Sequence, residues 1–335
     1  MTLFRALLRR SCAASAPAAR TMGIINTSQF KPLPLLFQSS HSAIQHSAAL
    51  WSEHASKARQ IRLNHHNAPD SGEESAQFNH NMGSRLRGKN VLITGASSGI
   101  GAACARHFAQ AGSNLLLAAR RKERLETLKR DLESRHPDIL ISTFDLDVRN
   151  RAKVREAAKE FGEVDVLVNN AGLVIGLEKL EDITEEAMDT MIDTNVKGLV
   201  HVTQSVLPGM RARNKGHIIN IGSVAGQQAY GNGSIYCASK AAVASISKAL
   251  LYETVDTAIR ISEINPGMVE TEFSVVRFRG DKGKADSVYK GIQPLDGNDI
   301  AETVVFVAGR PDHVNIAEML VFPTNQAAAT TVHRA

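Results

Sequence analysis

Residues 89–112 read KNVLITGASSGIGAACARHFAQAG. The run opens as a short apolar strand, turns through Gly95, Gly99 and Gly101, and continues with helical spacing to a glycine stop at Gly112. A strand that enters a helix through a glycine-rich turn is the first unit of a doubly wound α/β sheet, and that turn is where such sheets bind dinucleotides. Gly95 is expected to permit the turn, Gly99 to let backbone N–H groups approach a pyrophosphate, and Gly101 to let helix and strand pack closely. The helix N-terminus adds its partial positive charge. The spacing is Gly-x-x-x-Gly-x-Gly rather than Gly-x-Gly-x-x-Gly, so the pattern alone leaves an ordinary strand-to-helix turn open.

Outward from this unit the alternation repeats. NLLLAA (114–119) reads as a second buried strand, followed by a charged helix over about 121–136 that Pro137 closes. ILISTF (139–144) and VDVLVN (164–169) read as the third and fourth strands, with a helix over 150–161 between them. Helices over 184–194 and 198–213 precede GHIINI (216–221), and IRISEIN (259–265) and EMLVFP (318–323) complete the set. Apolar strands alternating with helices require a parallel sheet covered on both faces. The expected fold is a single Rossmann-type α/β domain over 84–335, a doubly wound parallel sheet of about seven strands.

Residues 1–83 differ in composition, being rich in Ser, Ala, His and Asn without regular apolar spacing. As a helix, MTLFRALLRRSCAASAPAARTMG (1–23) gathers Leu3, Phe4, Leu7 and Leu8 on one face and Arg5 and Arg9 on the other, and Glu53 is the first acid. Such a segment is expected to act as a mitochondrial transit peptide; a plain tail, or a start nearer Met82, would leave a cytoplasmic protein.

The formal charge of +5 invites a nucleic-acid reading, but its distribution argues against one. Residues 1–83 carry eight Lys or Arg against four Asp or Glu, which leaves 31 against 30 for the remainder. Nucleic acid is therefore not an expected partner. No apolar stretch approaches the roughly 20 residues of a membrane span. Cys12, Cys104 and Cys237 lack pairing or metal-ligand spacing, which fits a reducing compartment, and the six histidines of 1–83 are spaced too irregularly for a metal site.

Further stretches carry chemistry. AARRKER follows the second strand, where NAD sites place an acid; Arg120 and Arg121 there would instead grip a 2′-phosphate, which predicts NADP. Asp147 in DLDV can cap the next helix or meet an adenine amino group, and the asparagines of NNAG (169–172) lie at the carboxyl edge where α/β sheets bind ligands. Ser223 closes the fifth strand thirteen residues before Tyr236, and Lys240 lies one helical turn beyond Tyr236 on the same face. A lysine ammonium near the phenol is expected to lower its pKa, although a surface Tyr and Lys share this spacing often enough that the pair alone decides nothing.

TGASSGIG (94–101), NNAG, Asn195 in DTNVKG, Ser223, Tyr236-x-x-x-Lys240 and NPG (265–267) together resemble the short-chain dehydrogenase/reductase family, over about residues 85–335. The resemblance implies Tyr236 as general acid/base, Ser223 polarising the substrate oxygen, Lys240 holding the nicotinamide ribose and tuning the tyrosine, and Asn195 supporting a proton relay. It implies NADP contacts from Gly95, Ser97, Ser98, Gly99, Ile100 and Gly101, from Arg120, Arg121 and Asp147, and from Asn169, Ala171 and Gly172. Pro266, Gly267, Val269 and Thr271 complete that set with Tyr236 and Lys240, and family habit implies a homotetramer.

PGMVETEFSVVRFRGDKGKA, VNNAGLVIG and HIINIGSVAG are similar to one branch of the family, NADP-dependent dehydrogenases of 3-hydroxy acids such as serine and allo-threonine and reductases of malonic semialdehyde. Arg277 and Arg279 follow the sixth strand, in a segment that commonly forms a lid, and Arg277 is the candidate cation for a substrate carboxylate. A broad carbonyl or steroid reductase and a non-catalytic NADP sensor are the alternatives; Tyr236 and Lys240 together argue against the sensor.

Overall fold

The computed structural model describes residues 84–335. The readings of the transit segment, Cys12 and the six N-terminal histidines lie outside the described residues.

Seven parallel strands form one sheet in the order β3-β2-β1-β4-β5-β6-β7: β1 (Asn90–Thr94), β2 (Asn114–Ala119), β3 (Ile141–Asp145), β4 (Val166–Asn169), β5 (Gly216–Ile221), β6 (Ile259–Pro266) and β7 (Glu318–Val321). The central strand β1 pairs Val91 with Leu115 of β2 on one side and with Val166 of β4 on the other. The chain reverses its direction of winding between these neighbours, which opens the ligand crevice of such sheets at the carboxyl ends of β1 and β4.

Side chains alternate between the two faces. Val91, Ile93, Leu115 and Leu117 meet Phe108 of α1 (Gly99–Gln110), Leu125 of α2 (Lys122–Arg135) and Val304 of a late crossover helix on one face. Leu92, Leu116 and Leu167 point to the other face. There they join Phe161, after α3 (Arg151–Ala157), with Val202 and Met210 of α5 (Leu199–Ala212) and Leu250 of α6 (Ser234–Glu253). Each fully buried Leu, Ile or Phe in these layers contributes about 1.5–3 kcal/mol through removal from water.

Two features differ from the sequence reading. Helix α4 (Glu185–Ile192) and α5 are not separate, because a π turn over Asp193–Gly198 joins them and carries Asn195. The connection from β6 to β7, for which the sequence reading names no helix, contains α7 (Glu272–Arg277), α8 (Lys282–Ser287) and the crossover helix α9 (Gly297–Ala308). Asp296 and Asp299 cap α9 reciprocally, and Ile300, Val304 and Val307 supply its apolar stripe. At its start, a Cβ on Gly297 would lie 3.1 Å from the Gly99 carbonyl, so α9 seats closely on the glycine turn.

Candidate active site

A cavity of about 480 Å³ opens at the carboxyl ends of the strands. Its floor is the glycine turn. Gly95 and Gly99 have φ of +67° and +51°, a region that favours glycine, and a Cβ on Gly101 would sit 2.4 Å from the Gly95 carbonyl oxygen. The turn is fastened to the end of β4: the backbone N–H groups of Asn170 and Ala171 each donate to Thr94 Oγ1 at 3.0 Å, and Asn170 Nδ2 donates to the Thr94 carbonyl at 2.9 Å.

Asn170 therefore lines the cavity, with Ala171 and Gly172, whereas Asn169 does not. Asn169 is the last residue of β4 and faces into the protein, where its Nδ2 donates to Thr203 Oγ1 at 3.0 Å and Asn220 Oδ1 at 2.9 Å. Alternation along the strand turns the first asparagine of NNAG inward and leaves its neighbour at the cavity wall.

Arg120 and Arg121 border the other end of the cavity beside Ser97, Ser98 and Ile100. Arg121 donates to Ser97 Oγ at 3.1 Å and Ser98 Oγ at 2.5 Å, while its remaining nitrogen pairs with Glu272 of α7 at 2.8 Å. Asp147 also lines the cavity, but it does not cap α3. Asn150 does, accepting from Lys153 N, while Asp147 is held by Arg149, whose hydrogen bonds keep its carboxyl below the usual range. Cationic side chains after β2, hydroxyls in the turn and a cradle that a Cβ would fill fit a dinucleotide with a 2′-phosphate.

Ser223, Tyr236 and Lys240 come together at the end of β5. Ser223 N donates to Asn265 Oδ1 at 2.9 Å, and Ser223 Oγ accepts from Ala225 N at 3.1 Å. Tyr236, in the first turn of α6, is 7% exposed and meets Phe273 edge-on with centroids 5.8 Å apart. Burial pushes its pKa up to about 12, against a smaller lowering effect of Ser223. The downward tuning expected from Lys240 is not what this arrangement gives. Lys240 Nζ donates to the Ile221 carbonyl at 2.8 Å, and burial moves the lysine itself down to about 8.

Asn195 acts beside the cavity rather than in its wall. Its Oδ1 accepts from Leu173 N at 2.8 Å, and its Nδ2 donates to Leu173 O at 2.8 Å and Ser239 Oγ at 3.0 Å. Both ends of the amide are occupied, so it fixes the loop after β4 against α6. A Cβ on Gly172 would lie 3.3 Å from Asn195 Oδ1 and 3.6 Å from Lys240 Nζ, which places the three residues together.

The segment after β6 roofs the cavity. Pro266, Gly267, Val269 and Thr271 line it, and Thr271 caps α7. At the end of α7 the Arg277 guanidinium stands 5.8 Å from the Tyr236 ring centroid and 5.7 Å from that of Phe273, with Nη2 donating to Tyr230 Oη at 3.4 Å. Arg277 Nε is buried without a partner. Arg279 pairs instead with Glu178. Tyr230, Phe273, Gln326, Ala329 and Thr330 also border the cavity. The sequence reading missed them because no motif marks them, and the tertiary fold alone brings the 326–330 segment to the site.

The family described as short chain dehydrogenase matches residues 89–281. The NADP-dependent 3-hydroxy acid dehydrogenase of Schizosaccharomyces pombe is 48% identical over 256 residues, which cover 75% of this chain and 98% of that protein. The NADP-dependent 3-hydroxy acid dehydrogenase YdfG of Escherichia coli K12 is 45% identical over 250 residues, 73% of this chain and 99% of that one. The closed form of a serine dehydrogenase complexed with NADP+ superposes with a TM-score of 0.68 at 45% identity, covering 73% of this chain and all of that one. With its parallel sheet, glycine turn and Ser223, Tyr236 and Lys240 at one cavity, the chain belongs to the short-chain dehydrogenase/reductase family.

Proposed function

We propose that this protein is an NADP-dependent oxidoreductase that interconverts the hydroxyl and carbonyl forms of a short 3-hydroxy acid. The observation that carries the acid reading is Arg277, whose guanidinium faces the Tyr236 ring and whose buried Nε has no partner. A substrate carboxylate supplies the missing acceptor, and a charge-assisted pair there would hold the substrate beside the phenol. The relatives named as 3-hydroxy acid and serine dehydrogenases support the same class.

Arg120 and Arg121, with the hydroxyls of Ser97 and Ser98, would hold the 2′-phosphate, and the Gly95–Gly101 turn would hold the pyrophosphate. When bound, NADP supplies the hydride acceptor or donor at nicotinamide C4. Ser223 donates a hydrogen bond to the substrate oxygen, and Tyr236 takes the hydroxyl proton during oxidation or returns it during reduction. Lys240, which lines the cavity, would hold the ribose and add positive charge near the phenol. Asn195 keeps the Gly172–Leu173 loop against Lys240. The same reading includes a homotetramer and import directed by residues 1–23, tested by light scattering and by localising a fusion of that segment.

The activity test is the initial rate of NADPH formation by the full chain with serine, allo-threonine, 3-hydroxypropionate and an uncharged secondary alcohol in parallel. The hydroxy acids are expected to exceed the alcohol at least tenfold in kcat/KM. A preference for the alcohol would replace this reading with that of a carbonyl or steroid reductase.

A further inference from the structure

Behind the Ser223–Lys240 pair lies a polar cluster that the proposed reaction does not use. Glu263 and Asn265 stand two residues apart on β6 and so point to one face of the sheet. Glu263 is 1% exposed, and its Oε1 has no hydrogen-bond partner. Both side chains reach the end of β5 because residue 222 is glycine: a Cβ there would sit 2.0 Å from Asn265 Oδ1 and 2.4 Å from Glu263 Oε1. Asn265 Oδ1 accepts from Ser223 N at 2.9 Å and lies beside Glu263 Oε1 at Gly222. Lys240 Nζ donates to the Ile221 carbonyl, so carboxylate and ammonium meet the strand end at consecutive residues.

A buried charge is costly unless something compensates it. Lys240 is 6% exposed with one carbonyl partner, and the carboxylate that acts on it is Glu263. The charged groups that act on Glu263 are Lys240 and Lys248 of α6 and Glu318 of β7; Glu318 in turn accepts from Asn265 Nδ2 at 3.1 Å and pairs with Lys248 at 3.8 Å.

We propose that Glu263 is a positioning residue of the active site, the buried counter-charge of Lys240 at the end of β5, beside the Asn265 side chain that holds the Ser223 backbone. The inference rests on the reading of Tyr236 as the group that takes the proton. Burial and Glu318 raise Glu263 to about 7, and burial lowers Lys240 to about 8, so both groups titrate near neutrality. An ionised Glu263 raises the lysine, and although burial sets the Tyr236 phenol high, a protonated lysine near it would favour the phenolate more than a neutral one. Removing the carboxylate lets Lys240 lose its proton at lower pH, and the phenol then ionises at higher pH.

The test is kcat/KM against pH for hydroxy-acid oxidation by full-chain Glu263→Gln. It is accompanied by calorimetric NADP+ affinity and by ultraviolet titration of the Tyr236 phenolate, taken as the difference from Tyr236→Phe. The acid limb and the phenolate titration are expected to move up by about half to one pH unit, equivalent to a roughly three- to tenfold loss at fixed pH on that limb. NADP+ affinity should stay within threefold, and Glu263→Asp should return the limb part of the way. Should Glu263→Gln not fold, Lys248→Met removes a half-exposed cation that favours Glu263 ionisation and is expected to move the limb the same way by a few tenths of a unit. An unmoved limb, with activity merely lower, overturns the inference. An active Tyr236→Phe would overturn the underlying reading instead.

Discussion

The Arg121 guanidinium stands 2.8 Å from the Glu272 carboxylate, which ties the loop after β2 to the first turn of α7 across the cofactor cleft. Arg124 adds a second contact to the same carboxylate at 2.6 Å. The partners are close to half exposed, so the pairs add at most about 1 kcal/mol each to stability. Their placement matters more to the cofactor than to the fold. Arg121→Ala is expected to weaken NADP+ binding about 10- to 100-fold, through loss of a charge-assisted contact, and to leave NAD+ within threefold. Titration calorimetry with both cofactors checks this, and an equal loss for both would remove Arg121 from the 2′-phosphate site.

Glu272→Gln isolates the stability side. With both pairs lost the melting temperature should fall by no more than about 4–8 °C, and the deficit should disappear in 1 M salt, where exposed charges are screened. A larger, salt-independent loss would mean that Glu272 supports packing rather than an ion pair.

Arg277 and Tyr236 share one end of the cavity. Arg277→Met keeps an apolar side chain beside Phe273 and removes the charge, which now lies 5.7 Å from that ring's centroid. The KM for serine or another hydroxy acid should rise at least tenfold, while kcat/KM for an uncharged alcohol stays within threefold. Equal losses on both substrates would assign Arg277 to the lid's architecture alone.

Lys240 makes the fold less stable near neutral pH. Its folded-state pKa of about 8 lies below the ordinary lysine value, so between the two the unfolded chain binds a proton that the native chain lacks. Native stability from this group therefore rises with pH across that window, and the penalty is full below it. Lys240→Met should melt a few degrees higher than the parent at pH 7, with the margin shrinking as the pH climbs above 8. Ionisation of Glu263 without its counter-charge narrows the margin in the same direction. Thermal melts at pH 7, 8.5 and 10 read the trend, and a constant margin would contradict the shifted lysine.

Gly101→Ala probes the glycine turn. Its Cβ would meet the Gly95 carbonyl oxygen at 2.4 Å and Asn170 Nδ2 at 2.5 Å, and the backbone oxygen cannot yield without opening the turn. A cost of about 1–3 kcal/mol in urea unfolding and a loss of NADP+ affinity of at least tenfold are expected. Unchanged affinity would show that the turn does not shape the cofactor site.

How far the sequence led depended on whether a local pattern carried the information. NVLIT and NLLLAA fall on β1 and β2, and Gly112, at φ +79°, follows the end of α1, because apolar runs and glycine stops are local. Gly95, Gly99, Gly101, Ser223, Tyr236 and Lys240 were legible as one set because their order along the chain maps onto one strand edge. Three readings failed on tertiary facts. Pleat alternation turned Asn169 inward, Asn150 took the cap that was one of two roles open to Asp147, and burial raised the Tyr236 phenol that the lysine was expected to lower. The cap and apolar stripe of α9 were present in DGNDIAETVVFVA, residues 296–308, yet were not read as a helix. Glu263 was hidden within a strand, where sequence shows an acid among apolar residues but not the ammonium it faces.

The measurement closest to the central claim compares the parent chain with Tyr236→Phe in two quantities, the rate of NADPH formation from a 3-hydroxy acid and the calorimetric affinity for NADP+. The account predicts a fall in kcat of about 10²- to 10⁴-fold with affinity held within threefold, since the variant loses the proton transfer while the other cofactor contacts remain. A Phe variant that retains its rate would contradict the account.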